Sequence, residues 1–178
     1  MIRYVAFLRG INVGGHKLIK MADLSRLFTS FGLENVKTYI ASGNVLLETP
    51  ETNPKVVTQT LEEGLNEALA YEIRVILRTM AELQQLVSSD PFRGVPQPEN
   101  ARLYVTFLAE APQSVLKLPY ASPQGEFQVL KKTNREVFTA VYLSQMSRSV
   151  DGMTFVEKEF GKHSTTRNWN TVKKIVAQ

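Results

Sequence analysis

A loop that can cradle an anion stands near the start of the chain: Gly10-Ile11-Asn12-Val13-Gly14-Gly15-His16-Lys17, with Arg9 just ahead of it. It follows an apolar run and precedes a helical pattern. Phosphate cradles sit at such places, because glycine lets backbone N–H groups approach an anion closely. Neither established phosphate motif is present. A Walker A loop needs Lys directly after its last Gly, then Ser or Thr; here His16 intervenes and Leu18 follows Lys17. No G-x-G-x-x-G occurs either. Glycines serving a tight loop at positive φ account for the pattern equally well.

The tail His163-Ser164-Thr165-Thr166-Arg167-Asn168-Trp169-Asn170 is the second place where chemistry concentrates. With Ser164, Thr165 or Thr166 capping a final helix, Arg167 falls in its first turn. There the macrodipole disfavours a cation by about 0.3–1 kcal/mol. An Arg at that place is explained by an anion, or by a carboxylate from another segment. Trp169 matches the apolar face of the helix and is assigned to the core. Lys158, Lys162, Arg167, Lys173 and Lys174 stand there against Glu157 and Glu159, and a solvated helix face explains most of that excess. A third polar loop, Ser42-Gly43-Asn44, is accounted for by turn geometry; a functional reading of it rests on proximity to the other two.

Catalytic signatures are thin. His16 and His163 are the only histidines, without metal-binding spacing. Ser42 lacks the G-x-S-x-G elbow, and Asp23, Asp90 and Asp151 form no evident dyad. There is no cysteine, which excludes disulfides, thiolate metal sites and Cys nucleophiles. No metal site and no cofactor is expected.

Short-range patterns predict the elements that position these loops. Tyr4 to Arg9 reads as a buried strand. Met21, Leu24, Leu27, Phe28 and Phe31 predict a helix ending near Gly32. Val36 to Ser42 and Val45 to Glu48 predict a hairpin with Gly43-Asn44 as its two-residue turn. Pro54 opens a helix with Val57, Leu61 and Leu65 inward, and Ile73 to Arg78 is a strand. The order β-α-β-β-α-β is that of a ferredoxin-like (α/β plait) unit. Thr79 and Glu82 form a capping box for a short helix, and Asp90 to Asn100 reads as a linker. The second half restarts with Leu103 to Leu108, then a short helix at Ser114 to Leu118. Strands at Phe127 to Lys131 and Glu136 to Tyr142 follow, then a helix ending at Gly161 and a last helix from about Thr166. The fold class is therefore α+β: two plait-like subdomains from a duplication, 1–90 and 101–178 about a linker 91–100. The second is incomplete or rearranged, because no terminal strand precedes its last helix. No residue-level repeat accompanies the duplication.

At 178 residues, 43% hydrophobic and 21% charged, the chain can bury a real core. Its formal charge of +4 and pI near 9.3 permit an anionic partner without requiring one. The N-terminal apolar run is too short for a signal peptide, and no stretch approaches the roughly 20 apolar residues of a membrane span. A cytoplasmic protein with no membrane partner is expected.

Leu8-Arg9-Gly10-Ile11-Asn12-Val13-Gly14-Gly15, Thr38-Tyr39-Ile40 with Ser42-Gly43-Asn44-Val45, and Thr165-Thr166-Arg167-Asn168-Trp169-Asn170-Thr171-Val172 together resemble the bacterial domain-of-unknown-function family 1697 (DUF1697). The resemblance implies two related plait-like subdomains and assigns no activity. The residues themselves support a site for a phosphate-bearing small molecule at a basic cleft between the subdomains, with nucleic acid as the weaker partner. Its expected members are Arg9, Asn12, Gly14, Gly15, Lys17, Ser42, Asn44, Thr166, Arg167, Asn168 and Asn170. The strand aromatics Tyr4, Tyr39, Tyr104 and Phe127 could stack bases only if they face outward. The alternatives are an enzyme of unknown class at that cleft, with His16 or His163 as base, or a structural role in which the polar motifs brace the subdomains.

Overall fold

The early apolar run becomes strand β1 (Ile2–Arg9); the computed structural model describes residues 1–12, 18–40, 43–96, 99–143 and 152–178. Next come α1 (Met21–Ser30), β2 (Glu34–Tyr39), β3 (Asn44–Thr49), α2 (Pro54–Leu69) and β4 (Arg74–Thr79). The strands pair antiparallel in the order β2-β3-β1-β4, the ferredoxin-like plait that the periodicity predicts. Asn53 caps α2 by accepting from the Lys55 N–H at 3.0 Å, with Pro54 first in the helix; cap and ring together fix where the helix starts. Leu24 and Phe28 of α1, and Val57, Leu61 and Leu65 of α2, bury against Tyr4, Ala6, Leu8, Val45 and Leu47. Gly64 is kept inside α2 by packing, since a Cβ there would lie 2.5 Å from the Phe31 ring.

The Thr79–Glu82 capping box forms as its spacing predicts. The Thr79 N–H donates to Glu82 Oε2 at 2.7 Å, and the Glu82 N–H returns to Thr79 Oγ1 at 3.1 Å. It opens α3 (Met80–Ser88). The chain divides into two units, Met1–Gln85 and Leu86–Gln178.

The second unit contains β5 (Ala101–Leu108), β6 (Tyr120–Ala121), β7 (Phe127–Lys132), β8 (Glu136–Tyr142), α4 (Gly152–Phe160), β9 (Ser164–Asn168) and α5 (Trp169–Val176). Its antiparallel sheet runs β6-β7-β8-β5-β9. Without the two-residue β6, this is the order of the first sheet. Leu108, Phe127, Val129 and Val137 form its core with Val156 and Phe160 of α4.

Four expectations are corrected. A terminal strand exists: Ser164 to Asn168 form β9 against β5, and only then does the last helix begin. The Ser/Thr run reads as a cap, but β-branched Thr suits a strand as well, and the cap falls to Asn168. Ser114 to Leu118 is not a helix. The Ser114 hydroxyl accepts from the Leu116 N–H at 3.1 Å, and its carbonyl accepts from Lys132 Nζ at 2.5 Å, contacts that hold the backbone out of helical geometry. The first hairpin has a four-residue connection, because Tyr39 pairs with Asn44. Lastly, the duplication does leave a residue-level trace: Tyr4-Val5-Ala6-Phe7-Leu8 in β1 returns as Tyr104-Val105-Thr106-Phe107-Leu108 in β5, the same position in each sheet.

Candidate functional site

The first polar loop is closed by its own asparagine. Asn12, at φ +52, accepts from the Ile19 N–H at 2.8 Å and donates to the Ile19 carbonyl at 3.2 Å. Its amide thus imitates one rung of a β ladder and fixes the base of the loop. Gly43, at φ +74, accepts from the Leu8 N–H at 2.8 Å. A Cβ at Gly43 would come within 3.0 Å of Ile11 and 3.1 Å of Leu8, so the hairpin connection and the glycine loop touch here. Asn44 is fully buried and donates to the Tyr39 carbonyl at 3.0 Å. Arg9 lies opposite Arg74, whose guanidinium meets Glu72 at 2.5 Å and Glu62 at 3.5 Å. Asn12 and Asn44 thus each tie a loop of the first unit to its neighbouring backbone. Gly14, Gly15, Lys17 and Ser42, together with His16, lie outside the described residues.

The tail motif is split by the pleat of β9. Thr166 pairs with Thr106, and their hydroxyls meet at 2.8 Å. Arg167 lies opposite Val105 on the other face, only 8% exposed. It is not in the first turn of α5, as the sequence predicts. Its Nη1 donates to Thr165 Oγ1 at 2.7 Å and to the Thr166 carbonyl at 2.9 Å. Burial draws the guanidinium down to about 10, still far enough above neutrality to keep it charged. The repeat explains this residue. Arg78 of β4 lies opposite Val5, is buried as well, and donates from Nη1 to the carbonyl of its preceding residue, Leu77, at 2.9 Å. One buried arginine thus ends each plait in the same way.

Beyond Arg167 the chain turns into α5, and a cleft of about 330 Å³ opens at that turn. Asn168 caps the helix, its Oδ1 accepting from the Asn170 N–H at 2.9 Å. Both asparagines line the cleft, with Lys173 one turn on. Arg102 enters from β5 because the register sets Asn168 opposite Tyr104. Arg102 Nη1 donates to the Glu99 and Ala101 carbonyls, both at 2.9 Å. Among the described residues no carboxylate lies within ion-pair distance of Arg102 or Lys173. Asp90 is the one acidic lining residue, and Arg93 meets it at 3.5 Å. Phe92 and Trp169 build the floor, their rings 5.3 Å apart and edge to face. α5 has no acidic residue in its first turn, so its positive dipole end is unopposed.

Of the expected site residues, Asn168 and Asn170 thus share one cleft, while Thr166 and Arg167 brace the strand beneath it. Arg9, Asn12 and Asn44 belong to the first unit and serve its loops. Sequence reasoning missed Arg102, Asp90 and Phe92, all far from the tail in the chain, with Arg102 brought to it by the β5–β9 register. Lys173 did carry a signal, since it falls three residues after Asn170 and so on the same helix face. His163 is exposed in the turn before β9, where its carbonyl accepts from the Ala109 N–H at 2.9 Å. Among the described residues no His, Cys, Asp and Glu cluster could hold a metal, and no helix is long and apolar enough to cross a membrane.

A family model described as "Protein of unknown function (DUF1697)" matches residues 1–138, so the cleft residues of β9 and α5 lie beyond the matched part. The chain is similar to the solved structure of a conserved bacterial protein from Streptococcus pneumoniae, with a TM-score of 0.69 and 22% identity. That likeness covers 99% of this chain and 97% of the other; at such identity it speaks for the fold alone. No curated protein matches the sequence.

Proposed function

For this chain, which belongs to the DUF1697 family of proteins of unknown function, we propose that the cleft at the start of α5 binds a small anionic molecule. One observation carries the reading: Arg102 and Lys173, without carboxylate partners among the described residues, flank the same 330 Å³ cleft as a helix N-terminus that holds no acidic residue. Cations, oriented amide donors and the dipole together outweigh the one carboxylate of the lining, Asp90, which Arg93 meets at 3.5 Å, and their combined field favours a negative ligand. Nucleic acid fits less well. Tyr4 and Phe127 are sealed in the two cores, and Phe92 and Trp169 are buried, so these aromatics offer no open ring for a base to stack on. A bracing role is favoured for Asn12, Asn44, Thr166 and Arg167, each of which has its hydrogen bonds inside the fold.

The test is a thermal-shift screen of the purified chain at low salt against phosphate, small carboxylates, nucleotides and short oligonucleotides. The reading expects the melting temperature to rise with one class of small anion, and that rise to vanish in Lys173→Glu. A rise with oligonucleotides alone, or one that survives Lys173→Glu, would count against it.

A further inference from the structure

Strand β4 ends the first sheet: its inner side pairs with β1, and among the described residues no strand lies beyond it. Such an edge is a template on which another chain can add a strand. The register fixes which groups it offers. Leu8 turns its N–H towards β3, to the Gly43 carbonyl. Val5 and Phe7 therefore turn theirs towards β4, where Arg78 and Ile76 lie opposite them. Val75, Leu77 and Thr79 are left to present their backbone groups to the outer edge, as does Ile73 just ahead of the strand. Each of these four is met by a side chain. Asn66 Oδ1 accepts from the Ile73 N–H at 2.6 Å, and Glu62 Oε1 from the Val75 N–H at 2.8 Å. The Leu77 carbonyl accepts from Arg78 Nη1 at 2.9 Å, and the Thr79 N–H donates to Glu82 Oε2 at 2.7 Å.

We propose that the polar row of α2 stands in for a fifth strand: Glu62 and Asn66 occupy the outward N–H groups of Val75 and Ile73, and so keep a second copy of the chain from pairing at this edge. The dimensions fit. One turn from Glu62 to Asn66 advances about 6 Å along the helix, and the two residues from Ile73 to Val75 advance about 7 Å along the strand. Leu61 and Leu65, the helix neighbours of the two polar residues, are fully buried, which anchors the row beside the edge. The strand beneath is otherwise suited to pairing. Val75, Ile76 and Leu77 form an apolar run without proline. Its exposed charge, Arg74, is engaged by Glu62 at 3.5 Å and Glu72 at 2.5 Å.

The experiment is sedimentation velocity of the full chain over a concentration series, for wild type and Glu62→Ala/Asn66→Ala, together with residue-resolved amide exchange. In wild type the Ile73 and Val75 amides are expected to resist exchange, as amides bonded across the sheet do. The double variant is expected to self-associate at least about tenfold more strongly than wild type. Its Ile73 and Val75 amides lose their protection in dilute solution and regain it as the concentration rises. Glu62→Gln keeps an acceptor oxygen and removes the charge; it is expected to behave as wild type, which separates capping of the edge from loss of the Arg74 ion pair. Asn66→Ala alone, read at the Ile73 amide, carries the test if the double variant does not fold. A folded variant that associates no more than wild type, or association whose protection arises away from residues 73–75, overturns the inference. Wild-type Ile73 and Val75 amides that exchange as fast as those of exposed loops overturn it as well.

Discussion

Replacing Arg167 with alanine separates a bracing arginine from a ligand arginine. Among its contacts, the side chain donates from a charged nitrogen to Thr165 Oγ1 and to the Thr166 carbonyl. Bonds to charged groups contribute about 1.5–3 kcal/mol each. Against that stands the burial that draws its pKa down to about 10, a bias against the charged form of about 3 kcal/mol. Alanine removes this penalty together with the bonds, and leaves a void whose cost is about 2 kcal/mol or more. The net expectation is a loss of about 2–5 kcal/mol, read as a fall of about 1–2 M in the urea midpoint. Arg167→Lys should lose nearly as much, because an ammonium bears a similar burial cost and its Nζ falls about one bond short of the place of Nη1, from which both bonds run. Arg167→Ala with an unchanged midpoint and abolished ligand binding would refute this reasoning and move Arg167 into the site.

Further expectations follow from individual contacts. Thr139 is fully buried on β8 and its hydroxyl has no hydrogen-bond partner among the described residues; Thr139→Val should therefore stabilise by about 1 kcal/mol, and a loss of that size in denaturant melts would show a hidden partner. Gly43→Ala adds a Cβ 3.0 Å from Ile11 at a left-handed backbone position and should cost at least about 1–2 kcal/mol; a neutral result would mean that the two loops do not pack as described. The Tyr4 hydroxyl is raised above its ordinary 10.0, first by burial and then by Glu82 and Glu51. The folded state thus holds this proton more tightly than the unfolded one. Stability should be intact below pH 10 and fall as pH rises through the raised value. Tyr4→Phe should lessen that alkaline slope, and an identical slope in both proteins would contradict the assignment.

Local chemistry made much of the fold legible. Pro54 after Asn53, the Thr79–Glu82 spacing and the run from Tyr4 to Leu8 each report a geometry decided within a few residues. Ser164 to Asn168 misled because serine and threonine serve a helix cap and a strand equally, and pairing with β5 decided between them. The repeat of Tyr-Val-x-Phe-Leu sits in one strand of each half, where buried positions keep their identities while the loops around them diverge. The cleft was half legible. Asn168 and Asn170 stood out as a polar pair beside a helix, whereas Arg102 reaches them only through the pairing of Tyr104 with Asn168. Of the glycine loop, the closure of Asn12 on Ile19 falls among the described residues, and residues 13–17 lie outside them.

The most direct test of the anion cleft uses Trp169, the only tryptophan of the chain and part of the cleft floor. Its fluorescence is titrated at low salt with the small anion that most raises the melting temperature, for wild type and for the double variant Arg102→Glu/Lys173→Glu. The account expects a saturable change in wild type, weakened by added salt and absent from a double variant that melts normally. An unchanged affinity in the double variant would contradict it.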